Sequence, residues 1–297
     1  MLISNYMEYI DGELYRDGEF FCIRHVNSTD SGTLCFLDDI NLIIDVIENL
    51  NVSAVFTTKD ILPNIDNSKV AIILCQDPRV SFFKFHNYFG AHCQADAFNF
   101  KTVIHPTAII KTGGISKHGV VIGENTCISE NTIIYPGVTI GANSVIGCNN
   151  IIGGEGFEFK KVATSVLTVK HFGGVKIGDS VESKEFVSIH KALFHNEFTI
   201  IGSSTKVDSG CHIGHGNKVG RSVFLCSKSN ISGNSIIEDN VYIGPGVNVP
   251  NRVIVGENSK VTIGSTLSKS IVANEVFSGH FAIPHLKYLT HIKSISK

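Results

Sequence analysis

The sequence predicts a mainly β protein: a parallel β-helix built from six-residue repeats, with a small α/β domain before it and a short helix after it. Three observations predict this. Aliphatic residues recur at every sixth place between residues 104 and 272. Residues 1–100 lack that period and read as apolar strands alternating with helices. Residues 153–176 interrupt the repeat and shift its frame. The expected domains are therefore 1–100, 101–272 and 273–297.

In the first domain, residues 42–50 (LIIDVIENL) read as a short amphipathic helix. Residues 52–56 and 70–74 read as buried strands. Pro78-Arg79 opens a second helix over residues 80–89, and its aromatic run FFKFHNYF reads as a packing face.

Counting in sixes from Ile104 gives Ile104, Ile110, Ser116, Ile122, Ile128, Ile134, Ile140, Ile146 and Ile152, eight of nine isoleucine. A second register starts at Ile177 and runs through Leu267, broken only at Ser183 and His195. A helix repeats near 3.6 residues and a strand at 2. A period of six makes one short strand and one turn. Three units close a triangular coil, and coils stack about 4.8 Å apart. A small residue (Ala108, Gly114, Thr126, Thr132, Ser144) lies four places after the aliphatic one. Gly often follows it directly (Gly123, Gly141, Gly147, Gly202, Gly244), where a turn without Cβ strain is expected. About nine coils fit. The interruption at 153–176 is expected to protrude as a loop, and HLKYLTHIKSI after Pro284 reads as a helix that caps the last coil or packs on a neighbour.

Composition excludes several classes. Hydrophobic residues make up 43% and charged residues 18%, too apolar for a disordered chain. A net charge of −2 offers no basic excess for a nucleic-acid backbone. No run of eighteen apolar residues exists for a membrane span, and no secretory leader is read at the start. The eight cysteines are scattered without a CxxC pair, which suits reduced thiols and a cytoplasmic location.

Segments along the whole chain resemble the UDP-3-O-acylglucosamine N-acyltransferase family of hexapeptide-repeat acyltransferases. They are DGELYRDGEF with VNSTDSGTLCFLDD, NVSAVFTTKD, DPRVSFFKF, HPTAIIKTGGISKHGVVIGENTCI, GGEGFEF, VDSGCHIGHGNKVG and LSKSIVANEVFSGHFAIP. The resemblance implies a left-handed coil. It also implies acyl transfer from an acyl carrier protein or coenzyme A thioester to the amine of a nucleotide-linked amino sugar, UDP-3-O-acylglucosamine in lipid A synthesis. It implies His215 as general base, Asp208 as the acid that orients it, and the Gly233 amide as oxyanion donor. Such a reaction suits an imidazole, which exchanges protons near neutral pH. Phe36, Asp39, Phe157 and Arg252 fall at positions where the family holds acceptor or donor. The family forms homotrimers with sites between chains, so the loop at 153–176 is expected to reach a neighbour. No cofactor or metal is implied.

The chain departs from the family at several places. Arg252 replaces a second histidine and suits a donor phosphate. Asp39 replaces an amide, Leu42 replaces an aromatic residue, and His190-Lys191 replaces an acidic-arginine pair. These changes suit N-acylation of a different UDP- or dTDP-linked amino sugar for surface polysaccharide, from acyl-coenzyme A. A non-catalytic sugar-binding relative is a third reading. A fourth is a metal-dependent hydratase using His190, His195 and one of His171 and His212. Lys160-Lys161 reads as a solvated pair on the loop, with contact to an anionic donor as the alternative.

Overall fold

The computed structural model describes residues 1–65, 69–94, 97–279 and 284–295. The N-terminal domain is a three-layer α/β unit. Its sheet holds β1 (Glu13–Arg16), β2 (Cys22–Ile23), β3 (Thr33–Phe36), β4 (Val52–Thr57) and β5 (Ala71–Leu74) in the order β1-β5-β4-β3-β2. Only β1 runs antiparallel to its neighbour. Period-two alternation sorts its side chains. Leu34, Ala54, Phe56 and Ile73 pack beneath α3 (Pro78–Cys93), and Cys35, Val55 and Ile72 pack beneath α1 (Ile43–Glu48) and α2 (Leu62–Ile65). Asp77 caps α3 by accepting from the Val80 N–H at 2.9 Å. The aromatic run on α3 is the packing face read from sequence: Phe82, Phe83, Phe85 and Phe89 are all buried.

Beyond residue 102 the chain winds into three parallel sheets of nine, seven and eight strands among the described residues. Strands pair at eighteen-residue steps, as Ile110 with Ile128 and Ile128 with Ile146. The aliphatic ladder from Ile122 to Leu267 fills the interior, each of its members at most 4% exposed. Each buried isoleucine contributes on the order of 2 kcal/mol. Ser183 is the polar member of the ladder, and Asn150 Nδ2 donates to its hydroxyl at 2.9 Å. The small residues also serve the interior: Thr126 and Thr132 hydroxyls donate to Gly141 and Gly147 carbonyls at 2.7 Å.

Three expectations change. Ile115, not Ser116, pairs with Ile134 and takes the interior place. The glycines that follow the aliphatic residue do not adopt left-handed φ. They allow close stacking instead: a Cβ on Gly202 would lie 2.4 Å from the Gly220 carbonyl carbon. The left-handed corners come three residues after the aliphatic position and fall largely on asparagines such as Asn125, Asn131 and Asn240 (φ 55 to 60°), which tolerate that region. His195 is not an interior residue. Ile177 pairs with Ile201, twenty-four residues on, so six residues are extra in that coil. They lift Leu193 and Phe194 into the N-terminal core.

The larger interruption is structured. Ile140 pairs with Ile177, so nineteen residues are added to that coil. They include an antiparallel hairpin, Phe159–Val162 with Ser165–Thr168. The insertion packs on its own N-terminal domain. Val169 joins that core, Asn87 Nδ2 donates to the Thr168 carbonyl at 2.8 Å, and the Lys170 N–H donates to Asn87 Oδ1 at 2.8 Å. Buried Arg24 adds a third tie: its Nε lies 2.7 Å from Asp30 and 3.3 Å from Glu197. The two insertions therefore weld the domains together. After the coils, α4 (His285–Ile295) follows; its Leu286 and Leu289 are exposed in the single chain.

Candidate active site

The site forms where the insertion, the N-terminal domain and one corner of the β-helix meet. In HIGHG, Ile213 fills the interior, so His212 points outward and His215 falls at the corner. His212 Nδ1 lies 3.1 Å from the Ser188 hydroxyl, and its ring packs edge-on to His190 at 4.8 Å. His215 is 8% exposed and is walled in by two glycines. A Cβ on Gly233, one coil further, would lie 2.7 Å from His215 Nε2. A Cβ on Gly156 would lie 2.8 Å from both His215 Cδ2 and His171 Nε2. His171 backs the imidazole edge-to-face at 5.2 Å. The Gly233 N–H has no acceptor among the described residues.

A carboxylate faces the exposed side of this imidazole, and it is Glu158. Its Oε2 lies 3.6 Å from His215 Nε2, while Nδ1 is buried without a partner. Lys160 pairs with Glu158 and lays its ammonium 4.8 Å from the Phe83 ring centre. Lys160 is thus held in the site, not a solvated surface lysine. Phe83 in turn touches Phe36, which packs against Phe82 at 5.1 Å and lies under the Arg79 guanidinium at 5.5 Å. A continuous wall runs from Phe36 through Phe83, Lys160 and Glu158 to His215.

Arg252 stands one coil beyond Gly233, donating its N–H to the Gly233 carbonyl at 3.2 Å from a left-handed φ of 61°. Its charge acts on both His215 and His25 of the N-terminal domain. Phe157 is 87% exposed beside the site. Two sequence candidates lie elsewhere. Asp208 does not reach His215 within one chain: its oxygens accept from the Ser209 and Ser227 N–H groups, in a separate groove with Lys184, Lys206 and Phe224. Seven residues of coil carry it to a different corner. Asp39 is exposed and caps its own turn, accepting from the Asn41 N–H at 2.9 Å and the Asn41 side-chain amide at 2.8 Å.

Burial holds His215 below the ordinary imidazole range; Glu158 opposes that shift, and Lys160, His212 and Arg252 reinforce it. Burial pushes His171 down to about 3, with further lowering from His215. His190 falls to about 4 for the same leading reason. The three-histidine metal site of the hydratase reading does not assemble in one chain: His190 meets His212, whereas His195 sits in the extra loop with a buried, unpartnered Nδ1. Among the described residues no three histidine, cysteine or acidic side chains are placed to hold a metal ion. Gly156 and Glu158 do not emerge from the sequence as site residues, and His171, read there only as a possible metal ligand, instead backs the imidazole. The visible signal was the FEF alternation, which places Glu158 opposite its two phenylalanines on an extended segment.

Three stacked parallel sheets with a buried imidazole at one corner define a hexapeptide-repeat β-helix with a candidate base. LpxA from Acinetobacter baumannii shares this architecture, with a TM-score of 0.51 at 21% identity over 65% of this chain and 76% of that one. The fold is thus the left-handed parallel β-helix, with an appended α/β domain. No protein-family model matches the chain. Among curated sequences it is similar to the UDP-3-O-acylglucosamine N-acyltransferase of Campylobacter curvus, 28% identical over 130 residues, covering 43% of this chain and 40% of that protein. It is also similar to that of Caulobacter sp., 25% identical over 142 residues, covering 48% and 41%. The matches thus span about two fifths of those relatives' length. No helix among the described residues is long and apolar enough to cross a membrane.

Proposed function

We propose that this chain is an N-acyltransferase. It moves an acyl group from an acyl carrier protein or coenzyme A thioester to the amine of a nucleotide-linked amino sugar, with UDP-3-O-acylglucosamine as the acceptor of first choice. The observation that carries the reading is the corner at His215: a buried, neutral imidazole whose one accessible nitrogen faces an anion and abuts Gly233. The names of the curated relatives support the reaction and the acceptor.

The chemistry follows from this corner. His215 Nε2 takes a proton from the acceptor's amine as the nitrogen attacks the thioester carbonyl. The C–N bond forms, and the Gly233 N–H is placed to stabilise the carbonyl oxygen as it gains charge. The C–S bond then breaks, and the departing sulfur takes the proton from Nε2. Glu158 stabilises the imidazolium formed in between. The exposed guanidinium of Arg252 suits the phosphate of the donor, and Phe36 and Phe157 offer apolar surface to acceptor and acyl chain. No cofactor is required, because the thioester supplies the activated acyl group. We assign the working unit as a homotrimer in the cytoplasm. The altered Asp39 and Leu42 positions favour a different amino sugar as the alternative acceptor.

The test is to mix the protein with UDP-3-O-(3-hydroxyacyl)glucosamine and a 3-hydroxyacyl carrier protein and to follow the N-acylated product by mass. His215→Ala should lower kcat by about 10²- to 10⁴-fold. Turnover unchanged in His215→Ala would overturn the assignment of the base. No product with any amino-sugar nucleotide or thioester would overturn the reaction.

A further inference from the structure

We infer that Glu158 receives the acceptor's ammonium group and makes the cleft selective for an amine over an alcohol. The inference rests on the acyl-transfer reading of this site. An amino sugar reaches the base carrying a positive charge, and it must be held before it gives up its proton. The charged and titratable groups around His215 are hostile to that charge. They are Lys160 on the same hairpin, His212 on the strand just before His215, Arg252 on the coil beyond, His171 in the loop behind, and His25 from the N-terminal domain. Each is cationic or gains positive charge on protonation. Glu158 is the anion among the groups that act on His215 within the described residues.

Its placement suits the task. The carboxylate is 20% exposed and stands 3.6 Å from Nε2, too far for a hydrogen bond. Oxygen and nitrogen therefore face a common point without satisfying each other. An ammonium arriving there donates to Glu158 and has Nε2 beside it as the acceptor of its next proton. Nε2 is the only ring nitrogen able to serve, because Nδ1 is buried. Lys160, anchored over Phe83, holds the carboxylate in aim. An alcohol brings no charge for Glu158 to meet. The step balances: R–NH3⁺ first loses one proton to solvent by way of Nε2, the freed lone pair forms the C–N bond as Nε2 takes a second proton, and the C–S bond breaks with the sulfur leaving as the thiol with that second proton.

The experiment compares UDP-glucosamine with UDP-glucose, which carries a hydroxyl in place of the amine. Both are titrated calorimetrically at neutral pH into the full chain, into Glu158→Gln and into Glu158→Asp. Wild type should bind the amine on the order of tenfold to a hundredfold more tightly. Glu158→Gln should abolish that preference, and Glu158→Asp, which keeps the charge, should retain most of it. Melting curves verify that both variants fold. A preference that survives in Glu158→Gln overturns the inference, as does wild type that binds both sugars alike; acyl transfer that depends on His215 then still stands. Wild type that binds neither sugar overturns the inference together with the acceptor class on which it rests.

Discussion

Gly233→Ala tests the geometry of the base most directly. The added Cβ would lie 2.7 Å from His215 Nε2 and 2.9 Å from Cε1, whereas ordinary contact begins at 3.4 Å. The imidazole must therefore retreat by about 0.7 Å. Gly233 has no left-handed φ, so its backbone accepts alanine without strain. The ring cannot retreat freely, because His171 and Gly156 back it. A misplacement of about 1 Å at a reacting group costs roughly a hundredfold in rate. Gly233→Ala should thus lower kcat by about 10- to 100-fold with only a small change in thermal stability. Gly114→Ala is the control: its nearest neighbour would be Ile133 at 3.7 Å, and it should change neither quantity. Initial rates of N-acylation and melting curves decide the matter. Wild-type kcat in Gly233→Ala would refute the placement of the reacting amine at Nε2 beside this glycine.

Three further outcomes are expected. Ile213→Ala empties a fully buried place in the ladder and should cost about 2–5 kcal/mol, read as a shifted denaturant midpoint. Arg24→Met removes a buried cation from Asp30 and Glu197, two partners that keep some solvent; it should cost about 2–3 kcal/mol and speed proteolysis between the domains, and unchanged proteolysis would show that this tie is dispensable. Buried His86 and His171 have folded pKa values pushed down to about 4 and about 3, below the ordinary 6.5. The unfolded chain therefore binds protons first, and stability falls as pH drops from 6.5 towards 4, by roughly 1.4 kcal/mol per unit for each group. A flat stability profile across that range would contradict their burial as neutral rings.

The coils were legible because one residue in six must face a narrow interior, and only aliphatic side chains fit there. The frame shifts at the first insertion, which adds nineteen residues, but not at the second, which adds six. What those insertions do was not legible. Counting in sixes carried straight through the second one and assigned His195 to the interior, although Leu193 and Phe194 leave the coil there to fill another domain's core. The glycine rule failed in a similar way, since spacing shows that small residues recur but not whether φ or stacking demands them.

The architecture, the N-terminal α/β unit and, through the family resemblance, the candidate base at His215 are legible in the order of residues alone. These depend on local periodicity and on short contiguous motifs. Which carboxylate meets that base depends instead on how the coils and insertions pack. Asp208 is close in sequence yet turns to another corner, while Glu158, 57 residues away, arrives on a hairpin that the N-terminal domain holds in place. The reason is physical: a winding coil separates residues that a motif keeps together, and a packed insertion joins residues that the sequence keeps apart.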